Sequence, residues 1–333
     1  MKRLYIFRTN LRNLEYYHEY KELEKFQNNC HDFYLLFGLN CLKNNYFDEV
    51  IIWRLYDKIK PDIIFEINGK KFIQKWITDI NELFKYPKPD ISFWRGGFPQ
   101  YCELTKKDPD FFGLKLYLAA GKRLLPQYGG IYDKILIEDE RDKNDKSVPF
   151  YKTTNDNIFK PLNLDKKYDI CIISNFSQIK YKGTDILIEE ISKSKFLRKL
   201  KFCHCGNNPR DGIKLSKKLG VTNIEYLGSK ERPELNYILN QSKIGIVNSN
   251  RIDGCPRVIT EILTSGTPLL INEDTRLLKY YKKCGVVEFN RNNLIEKTDY
   301  ILKNYNTIQK ELIDNLNRFE INIICKLNLD LWE

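Results

Sequence analysis

The stretch Asp253–Pro268, DGCPRVITEILTSGTP, decides how the rest of this 333-residue chain is read. Pro256 lies one step inside a helix start, and Gly266-Thr267-Pro268 stops the helix just past its end. Val258, Ile259, Ile262 and Leu263 share one face at helical spacing, so that face is predicted to be buried. Arg257 and Glu261, four apart, share the flank beside it. The apolar runs on either side, IGIVNS (Ile244–Ser249) and PLLIN (Pro268–Asn272), read as buried strands. A strand that delivers a Gly-containing turn onto a helix N-terminus is where an α/β protein holds a phosphate. The alternative is an ordinary βαβ crossover; the acidic residues and the turn chemistry favour the phosphate.

Outward from this stretch, strand and helix alternate. DICIISN (Asp169–Asn175), LKFCHCG (Leu200–Gly206), NIEYLG (Asn223–Gly228) and VVEFN (Val286–Asn290) join the two runs above as strands, each followed by a helical stretch. Residues 293–329 read as a helical tail. In the first half, RLYIFR (Arg3–Arg8) reads as a strand leading to a helical segment through Lys25. DFYLLFG (Asp32–Gly38) reads as a second strand, Phe47–Ile59 as a helix, DIIFEING (Asp62–Gly69) as a third strand and Lys70–Phe84 as a helix. ISFWRGG (Ile91–Gly97), KRLLPQ (Lys122–Gln127) and YDKILIED (Tyr132–Asp139) complete the series. Strands separated by helices of this length imply parallel βαβ units and doubly wound sheets. Between Arg141 and Lys167 the pattern lapses into a polar, Pro-containing run that reads as a linker. The expected architecture is α/β, with two Rossmann-like domains facing each other across a cleft. These are 1–150, on the acceptor side, and 168–305, on the nucleotide side, with a tail, 306–333, that returns to the first domain.

Composition narrows the class. Hydrophobic residues at 42% are enough for substantial cores in two domains. Nine Cys in no paired spacing argue against a disulfide framework, the chain opens Met1-Lys2-Arg3 without a signal-peptide pattern, and no apolar run approaches membrane-spanning length. A cytoplasmic protein is expected. Net charge +11 suits an anionic nucleotide ligand, peripheral association with an anionic membrane, or nucleic acid. The Lys residues are dispersed rather than gathered in a tract, which favours a solvated surface; charge alone does not choose among the three, and nucleic acid is not the partner expected.

A second candidate phosphate site follows the Asp169–Asn175 strand, in SNFSQIKYKGTDILIEEI. Lys182-Gly183 stands just before a helix whose apolar positions are Ile186, Leu187 and Ile191. A Lys there can pair with a diphosphate while Gly lets the backbone approach, or Lys180 and Lys182 are simply solvated. Both candidate sites fall on the carboxyl edge of one predicted sheet, where ligands of open α/β sheets bind.

Taken in order, these segments resemble the GT-B glycosyltransferases, specifically the retaining, nucleotide-sugar-dependent enzymes of glycosyltransferase family 4. The resemblance covers roughly residues 169–281 and includes the two acidic residues of the Asp253–Pro268 stretch at the family's spacing, with Asp253 in a place usually held by Glu. It implies sugar transfer from a nucleotide-diphosphate sugar to an acceptor hydroxyl of a glycan, lipid or protein, with retention and without a required metal or other cofactor. Asp253 with Gly254, Cys255, Pro256 and Arg257 would hold the sugar and distal phosphate, Glu261 the ribose hydroxyls, and Lys182 the diphosphate, flanked by Lys180, Gly183 and Ser249. The turn Gly228-Ser229-Lys230 would hold the base. Asp253, Lys182 and Glu261 are the expected catalytic set.

This chain departs from the family in one important place. The Arg usually found at the end of the strand before the Lys is missing, and Lys180 or Arg257 is the candidate replacement. In the first half, Gly96-Gly97 and Gly129-Gly130 either approach donor or acceptor or make tight turns. Glu138 either offers a carboxylate to the acceptor or is solvated. His18 and His31 have no clear place at a strand end. Cys203-His204-Cys205 reads as a buried strand rather than a metal cluster, because alternate side chains of a strand face opposite ways. Asp108-Pro109-Asp110 sits in a Pro-containing loop, outside the strand context a metal motif needs. Two further readings stay open: a nucleic-acid-acting protein, and a nucleotide-sugar binder without activity.

Overall fold

The computed structural model describes residues 1–8, 22–30, 32–55, 62–95, 99–118, 129–176, 179–250 and 255–332. The chain divides into two units. Unit 1 comprises Met1–Asn155 and Ile321–Glu333, and unit 2 comprises Asp156–Glu320.

Unit 1 is built on strands β1 (Arg3–Arg8), β2 (Glu49–Leu55), β3 (Ile63–Ile67), β4 (Lys70–Ile77), β5 (Ile91–Arg95), β6 (Leu114–Leu118), β7 (Lys134–Ile137) and β8 (Ser147–Pro149). They form one sheet in the order β3-β4-β2-β1-β5-β6-β7-β8. Every neighbouring pair runs parallel except β3 and β4, an antiparallel hairpin at the edge. Its turn is Asn68-Gly69, both at positive φ (52° and 75°), the conformation a two-residue hairpin loop needs. Aromatic rings fill one face of the sheet: Phe7 stacks on Trp94 at 4.8 Å, and Tyr5 meets Trp53 edge-on at 5.4 Å.

Helices α1 (Leu23–Asn29), α2 (Phe33–Lys43) and α3 (Pro99–Lys107) flank this sheet. Three elements differ in kind from the sequence reading, and two strands, β6 and β8, were not expected at all. The run expected as a strand at Asp32–Gly38 is the start of α2, capped by the Asp32 carboxylate, which accepts from the Tyr34 amide at 3.0 Å. This helix is apolar on nearly every side because it lies between the sheet and the C-terminal helix Ile321–Trp332, so it lacks the one-sided periodicity that marks a surface helix. Gly38 allows the close approach, since a Cβ there would lie 2.9 Å from Val50. The helix expected at Phe47–Ile59 is instead β2, and that expected at Lys70–Phe84 is β4 followed by a 3-10 turn, Ile80–Lys85. The expected strand Lys122–Gln127 lies outside the described residues, as does most of the helical segment before α1. The C-terminal helix is fixed to unit 1 by Asn328, which accepts from the Tyr151 amide at 2.9 Å and donates to its carbonyl at 2.8 Å. Trp332 packs against Phe37 and Phe93.

Unit 2 follows its sequence reading strand for strand: β9 (Tyr168–Ile173), β10 (Phe202–Cys205), β11 (Ile224–Gly228), β12 (Ser242–Val247), β13 (Leu269–Asn272) and β14 (Val286–Phe289). All pairs are parallel, in the order β11-β10-β9-β12-β13-β14. The winding therefore reverses between β9 and β12, which leaves a crevice at their carboxyl ends. The helices are α4 (Ile179–Lys182), α5 (Thr184–Lys193), α6 (Pro209–Leu219), α7 (Arg232–Asn240), α8 (Val258–Thr264), α9 (Leu294–Lys303) and α10 (Tyr305–Asp314). All seven residues of α8 are buried, not one face alone. Gly245 of β12 lets it lie close, because a Cβ there would meet Ile262 at 2.7 Å. The polar stretch between Arg141 and Lys167 is ordered at both ends. Its first part supplies β8, while Lys160 and Leu162 donate backbone bonds to Asn236 and Asn240 of α7.

Candidate nucleotide-sugar site

At the switch point of unit 2, the ends of β9 and β12 and the junction of α4 with α5 line a concavity. Ser174, Lys182, Thr184, Asn248 and Ser249 are its polar lining; Ile172, Leu187 and Ile246 form its apolar floor. The sequence reading singled out Lys182, Gly183 and Ser249, and the fold brings them together here. Ser174, Thr184 and Asn248 were missed: strand order puts Ser174 and Asn248 beside Lys182, and Thr184 reads locally as no more than the first residue of a helix.

Gly183 is obligatory for reasons internal to the fold. It sits at φ 56°, in the left-handed region, as the N-cap of α5, and a Cβ there would lie 2.7 Å from both the side chain and the carbonyl of Asn248. Asn248 donates to the Gly183 carbonyl at 2.7 Å and accepts from Asn272 at 2.8 Å, so a chain of amides crosses from β13 to fix the turn. Among the described residues no side chain caps the start of α5. A ten-residue helix with uncapped N–H groups beside a lysine is suited to an anion.

Behind this lining stands His204, fully buried on β10, with Nε2 3.2 Å from the Ser174 hydroxyl. That hydroxyl is 2.7 Å from Thr184 Oγ1. Burial pushes the His204 pKa down to about 4, against a weaker upward pull from the Ser174 backbone, so the ring is neutral near pH 7. On the same strand, Cys203 is in register with Cys171 of β9. Hydrogen bonds donated to Cys203 and Cys205, with burial, push the Cys171 thiol upward, which keeps it protonated and inert. Among the described residues no group of His, Cys, Asp and Glu could hold a metal ion.

The remaining donor-side candidates are placed as follows. Gly228 ends β11 at φ 73°, and its carbonyl accepts from the Gly206 amide at 2.9 Å; Ser229 is exposed and Lys230 pairs loosely with Glu234 at 3.8 Å. Cys255 is half-buried, Pro256 buried, and Arg257 exposed at the N-cap of α8. Glu261 is only 3% exposed and pairs with Arg232, in the first turn of α7, at 2.8 Å. Arg232 is a further residue that sequence reasoning missed; it precedes Glu261 by 29 positions, with no local signal linking them. Asp253 and Gly254 lie outside the described residues, as does the side chain of Lys180.

In unit 1, Glu138 follows β7 and is neither solvated nor free. It is 3% exposed and paired with Lys152. Its neighbour Asp139 is held by Arg141, and Asp108 caps the 3-10 turn Pro109–Phe112 rather than binding metal. A Cβ on Gly130 would meet nothing within 4 Å, so that glycine answers no steric demand. Gly96 and Gly97 lie outside the described residues. No helix among the described residues is long and apolar enough to cross a membrane.

No curated protein sequence matches this chain. Several solved structures share its fold along nearly the full length of both chains. A glycosyltransferase from Rickettsia africae is 15% identical with a TM-score of 0.68, covering 99% of this chain and 97% of its own. Anabaena HepE in complex with UDP is 9% identical with a TM-score of 0.68 and 99% coverage of both chains. An E. coli trehalose-6-phosphate synthase bound with UDP-2-fluoro glucose is 11% identical with a TM-score of 0.66, covering 100% and 99%. Residues 154–317 match the family described as glycosyl transferases group 1. The chain thus has the GT-B glycosyltransferase fold, and its residues 154–317 are similar to the group 1 glycosyl transferases.

Proposed function

We propose that this chain moves a sugar from a nucleotide-diphosphate sugar to an acceptor hydroxyl, with retention of anomeric configuration. The observation that carries the reading is the concavity at the β9/β12 switch point, where Lys182 stands beside the uncapped start of α5. The chemistry demands stabilisation of a departing diphosphate and of an oxocarbenium-like sugar. Lys182 and the first amides of α5 take the leaving charge, so bound metal is not required in principle. Glu261, held by Arg232, accepts hydrogen bonds from the ribose hydroxyls. The turn at Gly228, Ser229 and Lys230 borders the base, and Asp253 orients the sugar.

The structural relatives bound to UDP or a UDP-sugar make UDP the first nucleotide to test. The acceptor is a hydroxyl of a glycan, lipid or protein, met in the cytoplasm or at an anionic membrane surface to which the +11 chain is drawn. Thermal stabilisation across a panel of nucleotide sugars tests the donor site. A ligand at about 100 times its dissociation constant adds roughly 2.7 kcal/mol. Glu261→Ala is expected to abolish the stabilisation, and silence across the panel would sink the proposal. Binding without transfer or hydrolysis would instead make the chain a nucleotide-sugar binder.

A further inference from the structure

We propose that Ser174 is a hydrogen-bond donor to the anionic oxygens of the ligand, aimed into the site by His204 and Thr184. The inference rests on the donor-site reading above and adds to it a residue and two positioning partners. It begins with proton counting. Thr184 is 1% exposed, and the described residues offer its hydroxyl one partner, Ser174 Oγ, at 2.7 Å. If Ser174 donated to Thr184, the Thr184 proton would be buried without an acceptor. Thr184 therefore donates to Ser174.

The same reasoning fixes the imidazole. His204 is 0% exposed, its Nε2 faces Ser174 at 3.2 Å, and its Nδ1, beside the rings of Phe176 and Tyr226, is buried with no hydrogen-bond partner among the described residues. An unmatched buried N–H is rarer than an unmatched acceptor, so the neutral ring carries its proton on Nε2 and donates to Ser174. Both lone pairs of Ser174 Oγ are then occupied. Its own proton has one place left to go, which is the concavity it lines with Lys182.

Two groups, one from β10 and one from α5, thus fix the direction of one exposed-side donor just past β9, and no reorganisation is needed when an anion arrives. The device adds a fixed donor at an edge where the family resemblance expects an arginine that this chain does not have.

Isothermal titration of the full chain with UDP, ADP and GDP, and with the matching nucleosides, tests the assignment. For the diphosphate that binds the unaltered protein best, Ser174→Ala is expected to weaken binding about tenfold and to leave nucleoside affinity unchanged. His204→Leu is expected to weaken diphosphate binding as well, and Ser174→Ala added to it should cost less than twofold more, because the hydroxyl has already lost its direction. His204→Gln, which restores an N–H donor, is expected to recover most of the affinity. A merely structural histidine would show neither the coupling nor the rescue. Ser174→Ala binding within twofold of the unaltered chain, while Lys182→Ala loses affinity, would overturn the assignment and leave the donor site standing. Strictly additive losses would overturn the aiming role. If no nucleoside diphosphate binds, both readings fall together.

Discussion

At the carboxyl edge of the first sheet charged side chains pair or pack against one another, whereas at the switch point of the second a lysine, hydroxyls and an amide line a concavity. After β7, Glu138 is closed off by Lys152 and Asp139 by Arg141, and at the end of β5 the Arg95 guanidinium lies 4.9 Å from the Tyr34 ring centre. After β9 and β12, by contrast, Lys182, Ser174 and the uncapped α5 amides surround a space. Both edges are polar, and both belong to parallel sheets. Where buried ions saturate each other, polarity serves the fold; where hydroxyls and amides are fixed from behind but not capped in front, it is available to a ligand.

The contrast can be broken by substitution. The largest effect is expected at the saturated edge. Glu138→Ala leaves the part-buried Lys152 without its carboxylate and should cost about 3 kcal/mol in urea denaturation. A loss below about 1 kcal/mol would mean that the pair is not holding that edge together. Next comes the pH dependence of the second unit. His204 has a pKa of about 4 when folded against an ordinary 6.5, so the unfolded chain binds the extra proton between those values. Stability from this group is complete above pH 6.5 and is lost as pH falls towards 4, by roughly 3 kcal/mol in all. His204→Gln should flatten that part of the stability profile, and an unchanged slope would place the titration elsewhere. A smaller loss is expected for Gly183→Ala, where the left-handed backbone and the contact with Asn248 should cost about 1–3 kcal/mol and misplace Lys182. A variant as stable as the parent would show that the turn is not fixed as described.

The two units also differ in how far the sequence revealed them. Each strand of unit 2 is a short apolar run followed by a helix with ordinary stop signals, so local pattern and fold agree. In unit 1, FYLLFG is apolar on every side because α2 is covered on both faces, and without one-sided periodicity it resembled a strand. The Asn68-Gly69 turn was the overlooked signal: it joins β3 to β4 as a hairpin, which makes Lys70–Ile77 a strand. The site was legible only where it is local. Lys182-Gly183 and the Glu261 helix carry their own signals. The contacts of Ser174 with His204, Asn248 with Gly183 and Arg232 with Glu261 span about thirty residues or more, and arise only once β9 lies between β10 and β12.

The central claim is that the β9/β12 edge holds the diphosphate of a nucleotide sugar through Lys182. Calorimetric titration of Lys182→Ala beside the unaltered chain, using the nucleoside diphosphate that binds best, tests it directly. A loss of at least tenfold in affinity, with urea stability changed by less than about 0.5 kcal/mol, is the predicted result. Equal affinity in the two proteins would contradict it.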